Sequence, residues 1–287
     1  MKKLSIAYTP DSDDVFNFYA WEHGRVSLSG NGFEPIFSRG HIIELNRAAL
    51  EAKYDVVAVS SVFYPNVANN YWVMCVGNSV GRNFGPVLVS KHYKTVDELR
   101  GKRVGVGGHP TTGSGLSLMY CPGIELVEMP FDAIVDAVVN DEIDAGVMIH
   151  EELIHYLERG LVCVCDLGAA WSEDTGLPLP VGLNLVRKDL GTDLARDIAA
   201  TCQSSLLWGF GHTAEVYDYA SKFGRGMARE HIEMFSIEDF LRIPEDVREA
   251  MKIMFSRVAG MGLGPDIGSF EIIEGLEAPE RMLKEKG

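Results

Sequence analysis

Two kinds of hydrophobic pattern alternate along this chain. Short apolar segments of four or five residues, bounded by turn-forming residues, predict β-strands. These strand candidates are Leu4–Tyr8, Val56–Ser60, Trp72–Val76, Val87–Ser90, Arg103–Val106, Leu126–Met129, Gly146–Ile149, Leu161–Cys165 and Gly182–Val186. Elsewhere apolar residues recur at helical spacing, as over Phe131–Val139 and Val247–Val258. Because strands and helices alternate, the pattern predicts an α/β fold with largely parallel sheets.

Length and charge narrow the class of partner. The chain has 287 residues, enough for two modest domains, and its 26 basic against 41 acidic residues give a net charge of −15. Such a charge repels nucleic-acid phosphates and anionic membranes, so we expect a small-molecule ligand and neither of those partners. No apolar run reaches membrane-spanning length, and the apolar part of the amino terminus is too short for a signal peptide. We therefore expect a cytoplasmic protein.

The five cysteines do not suggest a disulfide framework. They are Cys75, Cys121, Cys163, Cys165 and Cys202, an odd number in a chain of this length. Only Cys163 and Cys165 are close in sequence, with a spacing that predicts one face of a strand. No cluster of Cys and His at ligand spacing joins them, so we interpret all five as small buried hydrophobic residues.

A polar turn follows the first predicted strand. Its sequence is Pro10-Asp11-Ser12-Asp13-Asp14, and a helical segment comes after it. Asp14 is a candidate helix cap, because Asp and Ser side chains accept hydrogen bonds from the amides of a helix start. The same turn lies at the carboxyl end of a strand, where α/β folds place their ligand clefts. Ligand contact by this turn stays open.

A glycine-rich turn follows the predicted strand Arg103–Val106. Glycines let the backbone approach a ligand, and Thr111, Thr112 and the free amides of the next helix offer hydrogen-bond donors. This pattern predicts a site for a carboxylate. The segment lacks the Lys of a phosphate-binding loop, so it does not indicate a nucleotide. A plain turn with a helix cap is the alternative interpretation.

A histidine ends the predicted strand Gly146–Ile149. His150 is followed by Glu151 and Glu152, either of which is a candidate to orient the imidazole. A histidine at a cleft can take or give a proton near neutral pH without help from a cofactor. The alternatives are a helix cap or a satisfied core histidine. His155 is five residues further on, off the face needed for a helical metal pair, so no metal site is predicted.

Several segments together resemble one enzyme family, the 1,4-dihydroxy-6-naphthoate synthases of the futalosine route to menaquinone. The resemblance extends from about residue 4 to 225. The segments that carry it include Pro10–Asp14, Leu45–Ala48, Asp55–Ser60, Thr111–Thr112, Ile149–Glu151, Thr175–Pro180 and Arg187–Gly191. The family implies a bilobal, type II periplasmic-binding-protein-like fold, with two mixed sheets flanked by helices and a ligand cleft between the lobes. Lobe one would comprise residues 1–90 and 187–287, and lobe two residues 91–186.

The resemblance also implies an activity. The family's enzymes convert cyclic dehypoxanthine futalosine to 1,4-dihydroxy-6-naphthoate by breaking a carbon–carbon bond, which makes them lyases, and they need no cofactor or metal. In this chain His150 would be the catalytic base. The substrate, a small carboxylate, would be held by Ala58, Val59, Ser60, Thr111, Thr112, Asn46 and Asp14. The oligomeric state is left open.

Other functions of the same fold stay open at this point. A solute-binding receptor is the main alternative from another class, because fold alone does not separate receptor from enzyme. A paralogue that binds a related aromatic carboxylate and a chorismate dehydratase-like enzyme are further alternatives. Ala170 and Leu183 differ from the residues usual in the family, and the sequence after His231 diverges from it.

Overall fold

The computed structural model describes residues 1–28, 32–150, 152–223 and 227–277. Strands of these residues form two sheets, the first with the order β12-β4-β11-β3-β1-β2 and with β5 paired to β11. Its strands are β1 (Lys2–Tyr8), β2 (Phe33–Arg39), β3 (Val56–Ser60), β4 (Tyr71–Met74), β5 (Ser79–Gly81), β11 (Leu179–Arg187) and β12 (Ile272–Ile273). In this sheet β1 runs parallel to its neighbours, whereas β11 is antiparallel to β3, β4 and β5.

The second sheet has the order β10-β6-β9-β7-β8. Its strands are β6 (Val87–Ser90), β7 (Arg103–Val106), β8 (Glu125–Glu128), β9 (Ala145–Met148) and β10 (Val162–Asp166). Strand β7 is parallel to β8 and β9, and β6 is antiparallel to β9 and β10. The expectation of largely parallel sheets is therefore wrong in detail, because β11 in the first sheet and β6 in the second run antiparallel to their neighbours. The mixed sheets match the bilobal arrangement.

Helices cover the faces of both sheets. They are α1 (Ser12–Glu22), α2 (Ile42–Leu50), α3 (Thr112–Tyr120), α4 (Ile134–Val139), α5 (Glu152–His155), α6 (Leu167–Thr175), α7 (Thr192–Gly211), α8 (Thr213–Ala220), α9 (Ala228–Glu233), α10 (Ile237–Leu241) and α11 (Glu245–Gly260). The predicted helix over Val247–Val258 lies within α11, and Phe131–Ala133 form a 3₁₀ turn before α4. Within the described ranges, no helix is both long and apolar enough to cross a membrane.

Helix α1 lies in the middle of the core. All of its residues from Ser12 to Trp21 are buried, because α7, α8 and α9 pack against it and the ring of its Phe18 stacks on Tyr8 of β1, with the centroids 4.7 Å apart. The ring of Phe16 packs against Phe210 of α7, with the ring centroids 5.1 Å apart. Enclosure on all sides explains why α1 has no clear polar face, and it fixes the turn before α1 against the sheet.

The sequence prediction missed strand β2. This strand pairs only with β1, at the edge of the first sheet, and most of its residues are half-buried or exposed. It also contains Pro35, which cannot donate a hydrogen bond to a neighbouring strand. An edge strand of this kind lacks the continuous apolar run that identified the other strands.

The two sheets divide the chain at different residues from the predicted lobes. Strand β6, which the prediction placed in lobe one, hydrogen bonds to β9 and β10 of the second sheet. Strand β11 was assigned to lobe two, apart from its last residue, yet it pairs with β3 and β4 of the first sheet. The chain therefore crosses between the sheets before Val87 and again before Leu179. The division into two lobes itself stays a prediction.

The cysteines agree only in part with their interpretation as buried residues. Cys75, Cys121 and Cys202 are buried, but Cys163 is exposed and Cys165 is half-buried. The pairing of β10 with β6 shifts register between Cys163 and Cys165, and both lie on an edge strand. The alternation expected of a regular strand is lost at such an irregularity, which explains the exposed thiol.

Candidate active site

A cavity of about 270 Å³ lies where the two sheets meet. Four strands end at it: the residues directly after β1, β7 and β9 and the last three residues of β3 contribute to its wall. The lining includes every residue of the predicted site except Asn46: His150, Ala58, Val59, Ser60, Thr111, Thr112 and Asp14. The cavity therefore lies where a ligand cleft is expected, at the carboxyl ends of strands.

His150 has an unusual backbone. It follows β9 with a φ of 56°, a left-handed conformation that costs free energy in any residue with a Cβ atom. The turn directs the imidazole into the cavity, where its side chain is 24% exposed. The edge of the ring meets Phe131, with the centroids 5.5 Å apart. A strained residue held in a cavity wall is typical of a functional position.

The partner of His150 comes from the other sheet. Its Nε2 atom lies 3.1 Å from Oδ2 of Asp11, in the turn after β1. The sequence analysis expected Glu151 or Glu152 in this role. Glu151 lies outside the described residues, and Glu152 lines the cavity at the start of α5. A carboxylate on Nε2 holds the proton on that nitrogen and leaves Nδ1 as the basic atom.

Asp14 holds the turn before α1 in place. Its Oδ2 atom accepts hydrogen bonds from the amide and the hydroxyl of Thr9, at 2.9 and 2.7 Å. Asp14 therefore does not cap the amides of α1, although it ties the turn together as expected. Burial raises the pKa of the Asp14 carboxyl well above its usual range, and the neighbouring Asp13 adds to the effect.

The two threonines at the start of α3 use their hydroxyl groups inside the protein. Thr111 is the N-cap: its hydroxyl donates to the Gly108 carbonyl at 3.0 Å and accepts from the Ser114 amide at 3.3 Å. The Thr112 hydroxyl donates to the carbonyl of Val181 at 2.6 Å, which joins α3 to β11. The donors left for a ligand are the amides of Thr112 and Gly113, because the first amides of a helix have no acceptor within it.

Asn46 stands behind the cavity wall. It has no exposed surface, and its Oδ1 atom accepts a hydrogen bond from the Ser60 amide at 3.0 Å. Its Nδ2 atom donates to the carbonyl of Pro110 at 3.2 Å, so it connects β3 with the turn before α3. Asn46 is not part of the cavity lining, so its expected contact with the substrate stays a prediction. Asn46 positions the wall.

The sequence analysis missed two histidines of the cavity, His41 and His231. His231, on α9, is 2% exposed and lines the cavity. Its Nδ1 atom lies 2.9 Å from the hydroxyl oxygen of Ser12, and its ring centroid is 6.3 Å from that of His150. Leu183, noted for its departure from the family pattern, also lines the cavity. No spacing rule links residues so far apart in sequence, so only the fold brings His231 close to His150.

The described residues offer no obvious metal site. No group of three or more His, Cys, Asp or Glu side chains among them has the arrangement of a metal-binding site. Five carboxylate residues line the cavity, Asp11, Asp13, Asp14, Asp132 and Glu152. Asp13 accepts a hydrogen bond from Ser79 at 2.6 Å, and Asp14 accepts one from the Thr9 hydroxyl at 2.7 Å. In each of these two residues Oδ2 is therefore engaged by a protein donor.

Comparison with known proteins places this chain among characterised families. The model of a menaquinone biosynthesis family matches residues 4–260. A 1,4-dihydroxy-6-naphthoate synthase of Thermus thermophilus is 34% identical over 267 residues, which cover 92% of this chain and 96% of the relative. A protein of the same name from Streptomyces coelicolor is 30% identical over 275 residues, with the same coverage of both chains. The match extends through the region after His231 that looked divergent.

Solved structures agree with this placement. A protein from Archaeoglobus fulgidus is 37% identical, with a TM-score of 0.85 over 91% of this chain and 98% of its own. The alkanesulfonate-binding protein of Xanthomonas axonopodis has a TM-score of 0.71 over 92% of this chain and 95% of its own, at 11% identity, which shows the periplasmic-binding-protein-like fold alone. With a family model that matches most of its length and two relatives at 30% identity or more, this chain belongs to the menaquinone biosynthesis family.

Proposed function

We propose that this protein is a 1,4-dihydroxy-6-naphthoate synthase, a lyase that releases the naphthoate from cyclic dehypoxanthine futalosine without a cofactor. The observation that carries the proposal is the contact between His150 and Asp11 in the cavity wall. A histidine oriented by a carboxylate is a general base, and a receptor that only binds its solute has no need of one. Such a biosynthetic enzyme is expected to work in the cytoplasm.

The substrate has an aromatic carboxylate at one end and a sugar-derived part at the other, and the cavity has groups that could bind each of them. The amides of Thr112 and Gly113 at the start of α3 would bind the aromatic carboxylate, since a helix amino terminus favours an anion. Phe131, Phe235 and Leu183 supply apolar surface for the ring system. The hydroxylated, sugar-derived part would then lie toward His150 and the carboxylates of the turn after β1. This orientation brings the bond to be broken near the base.

His150 would start the reaction by removing a proton from a hydroxyl group of the sugar-derived part. Asp11 stabilises the imidazolium that forms, because it places a negative charge 3.1 Å from Nε2. The carbon–carbon bond next to that hydroxyl breaks, and its electron pair passes to the ring system, which becomes aromatic. Aromatic stabilisation of the product favours the cleavage.

The test measures turnover and binding separately. Purified protein is incubated with cyclic dehypoxanthine futalosine, and the absorbance of the naphthoate product is followed. We expect turnover by the wild type. The His150→Asn variant should still bind the ligand, but its rate should be about 10²–10⁴-fold lower, because a general base usually contributes a factor of this size. His92→Asn is the matched control, because His92 is exposed and pairs with Asp141 on the surface. Binding without turnover by the wild type would support a receptor instead.

A further inference from the structure

His231 takes no part in the removal of a proton by His150. This residue is nearly fully buried, yet it lines the cavity from α9, which packs against α1. The ring planes of His231 and His150 are inclined by 76°, with 6.3 Å between their centroids. Two imidazoles at this separation can both reach one small substrate that lies between or beside them. Burying an imidazole costs free energy unless its nitrogen atoms are hydrogen bonded, so the position of His231 needs an explanation.

Ser12 holds the His231 ring in one orientation. The serine is the first residue of α1 and is fully buried, and its hydroxyl lies 2.9 Å from Nδ1 of His231. Phe235, one turn further along the chain, meets the ring edge-on with the centroids 5.3 Å apart. Among the described residues, Nε2 has no hydrogen-bond partner. The ring is thus fixed through one nitrogen and retains the other for the cavity.

The two histidines differ in the group that faces them. His150 has a carboxylate partner in Asp11, which favours the imidazolium that forms when a base takes up a proton. His231 has a neutral hydroxyl partner in Ser12, which holds the ring without adding a negative charge. This asymmetry is typical of an acid and a base that serve one reaction.

We propose that His231 is the proton donor of the reaction, an assignment that rests on the proposed function. His150 takes the proton of the hydroxyl group, and the electron pair of that O–H bond forms the new carbonyl of the departing fragment. The electron pair of the broken carbon–carbon bond passes to the ring ketone and gives an enolate, whose oxygen receives the proton from Nε2 of His231. One substrate yields two products with no oxidant, and a proton returns from His150 to His231 through solvent.

The experiment replaces the proton donor by a group that can hydrogen bond but cannot transfer a proton. We expect His231→Gln to lower kcat by about 10²-fold or more while KM changes by no more than about threefold, because a donated proton matters in the transition state and little in substrate binding. The matched control His92→Gln should keep wild-type kinetics. Added imidazole should partly restore the turnover of His231→Ala, which a purely structural role does not explain.

Ser12→Ala provides a second variant if the buried substitution prevents folding. It leaves the imidazole in place but removes its 2.9 Å partner, so we expect a loss in kcat of about tenfold with little change in KM. A rise in KM at constant kcat for His231→Gln would overturn the assignment and make His231 a binding residue. Unchanged kcat in both variants would also overturn it. If the wild type itself produces no naphthoate, the proposed function fails and this assignment fails with it.

Discussion

Nε2 of His150 lies 3.1 Å from Oδ2 of Asp11, and these two residues follow strands of different sheets. The proposed base is therefore oriented only when the two sheets are in their present positions. Asp11→Asn keeps a side chain of the same size but removes the charge that stabilises the imidazolium. We expect kcat to fall about 10- to 100-fold, less than on removal of the base itself, with substrate affinity nearly unchanged.

Steady-state kinetics with the cyclic substrate measures this effect. Asp174→Asn is a suitable control, because Asp174 is paired with Arg257 outside the cavity. If Asp11→Asn retained the full wild-type rate, Asp11 would be a structural partner and His150 would act without it.

Thr111 should matter for stability more than for ligand binding. Its hydroxyl caps α3, so Thr111→Val should lower the free energy of unfolding by about 1 kcal/mol. The ligand would still meet the amides of Thr112 and Gly113, and we expect its affinity to change by less than about threefold. Thr111→Ser retains the cap and should resemble the wild type. Urea unfolding and calorimetry with the naphthoate separate the two effects, and a large loss of affinity at unchanged stability would instead indicate direct contact by the hydroxyl.

Asp14→Asn should stabilise the protein in a pH-dependent way. Burial raises the pKa of Asp14 above the value near 3.8 of an exposed carboxyl, so the folded state binds a proton more tightly than the unfolded state. Stability from this residue is then present at low pH and is lost as the pH rises from about 4 through the folded-state pKa. Asparagine keeps an acceptor for Thr9 without the charge.

Urea unfolding at pH 4, 6 and 8 tests this prediction. The variant should gain stability over the wild type at pH 8, with a difference that shrinks toward pH 4, since each unit of pKa shift is equivalent to about 1.4 kcal/mol. Asp97→Asn, at an exposed position, should show almost no gain. A gain of equal size at all three pH values would contradict the explanation by charge burial.

The sequence predicted the fold well where strands were buried. Strands β3 and β6 are apolar runs that are buried along their whole length, and the pattern located both to the residue. Edge strand β2 has no such run and was missed. The crossings between the sheets were misplaced by a strand at each end, because hydrogen bonding between distant strands decides which sheet takes β6 and β11.

Within the site, prediction succeeded for residues at strand ends. His150 follows an apolar strand, so its place at the cleft was readable from the sequence. The partner of His150 could not be read from the sequence. Asp11 was recognised only as part of a polar turn, and its contact with His150 depends on how the two sheets approach each other. His231 carries no local signal, because α9 is short and only its packing against α1 brings the imidazole to the cavity. The hydrogen bonds that join Asn46 to Ser60 and Pro110 also depend on the fold and could not be read from the sequence.

Two segments of backbone approach each other closely beside the cavity. Gly168, near the start of α6, packs directly on the peptide that joins Phe84 to Gly85, and a methyl group at this position would overlap the Phe84 carbonyl and the Gly85 nitrogen. Neither can rotate away as a side chain would. Gly85 and Pro86 line the cavity, so the displaced segment would also alter the substrate site.

We therefore expect Gly168→Ala to lower the free energy of unfolding by about 1–3 kcal/mol, the usual cost of overpacking, and to raise KM. Gly211→Ala is the matched control: Gly211 is the last residue of α7, and a Cβ atom there meets nothing within 4 Å. Since alanine favours a helix more than glycine does, the control should equal the wild type or exceed it by up to about 1 kcal/mol. Thermal unfolding of both variants tests this prediction. If Gly168→Ala were as stable as the wild type, the two backbone segments would not be in contact.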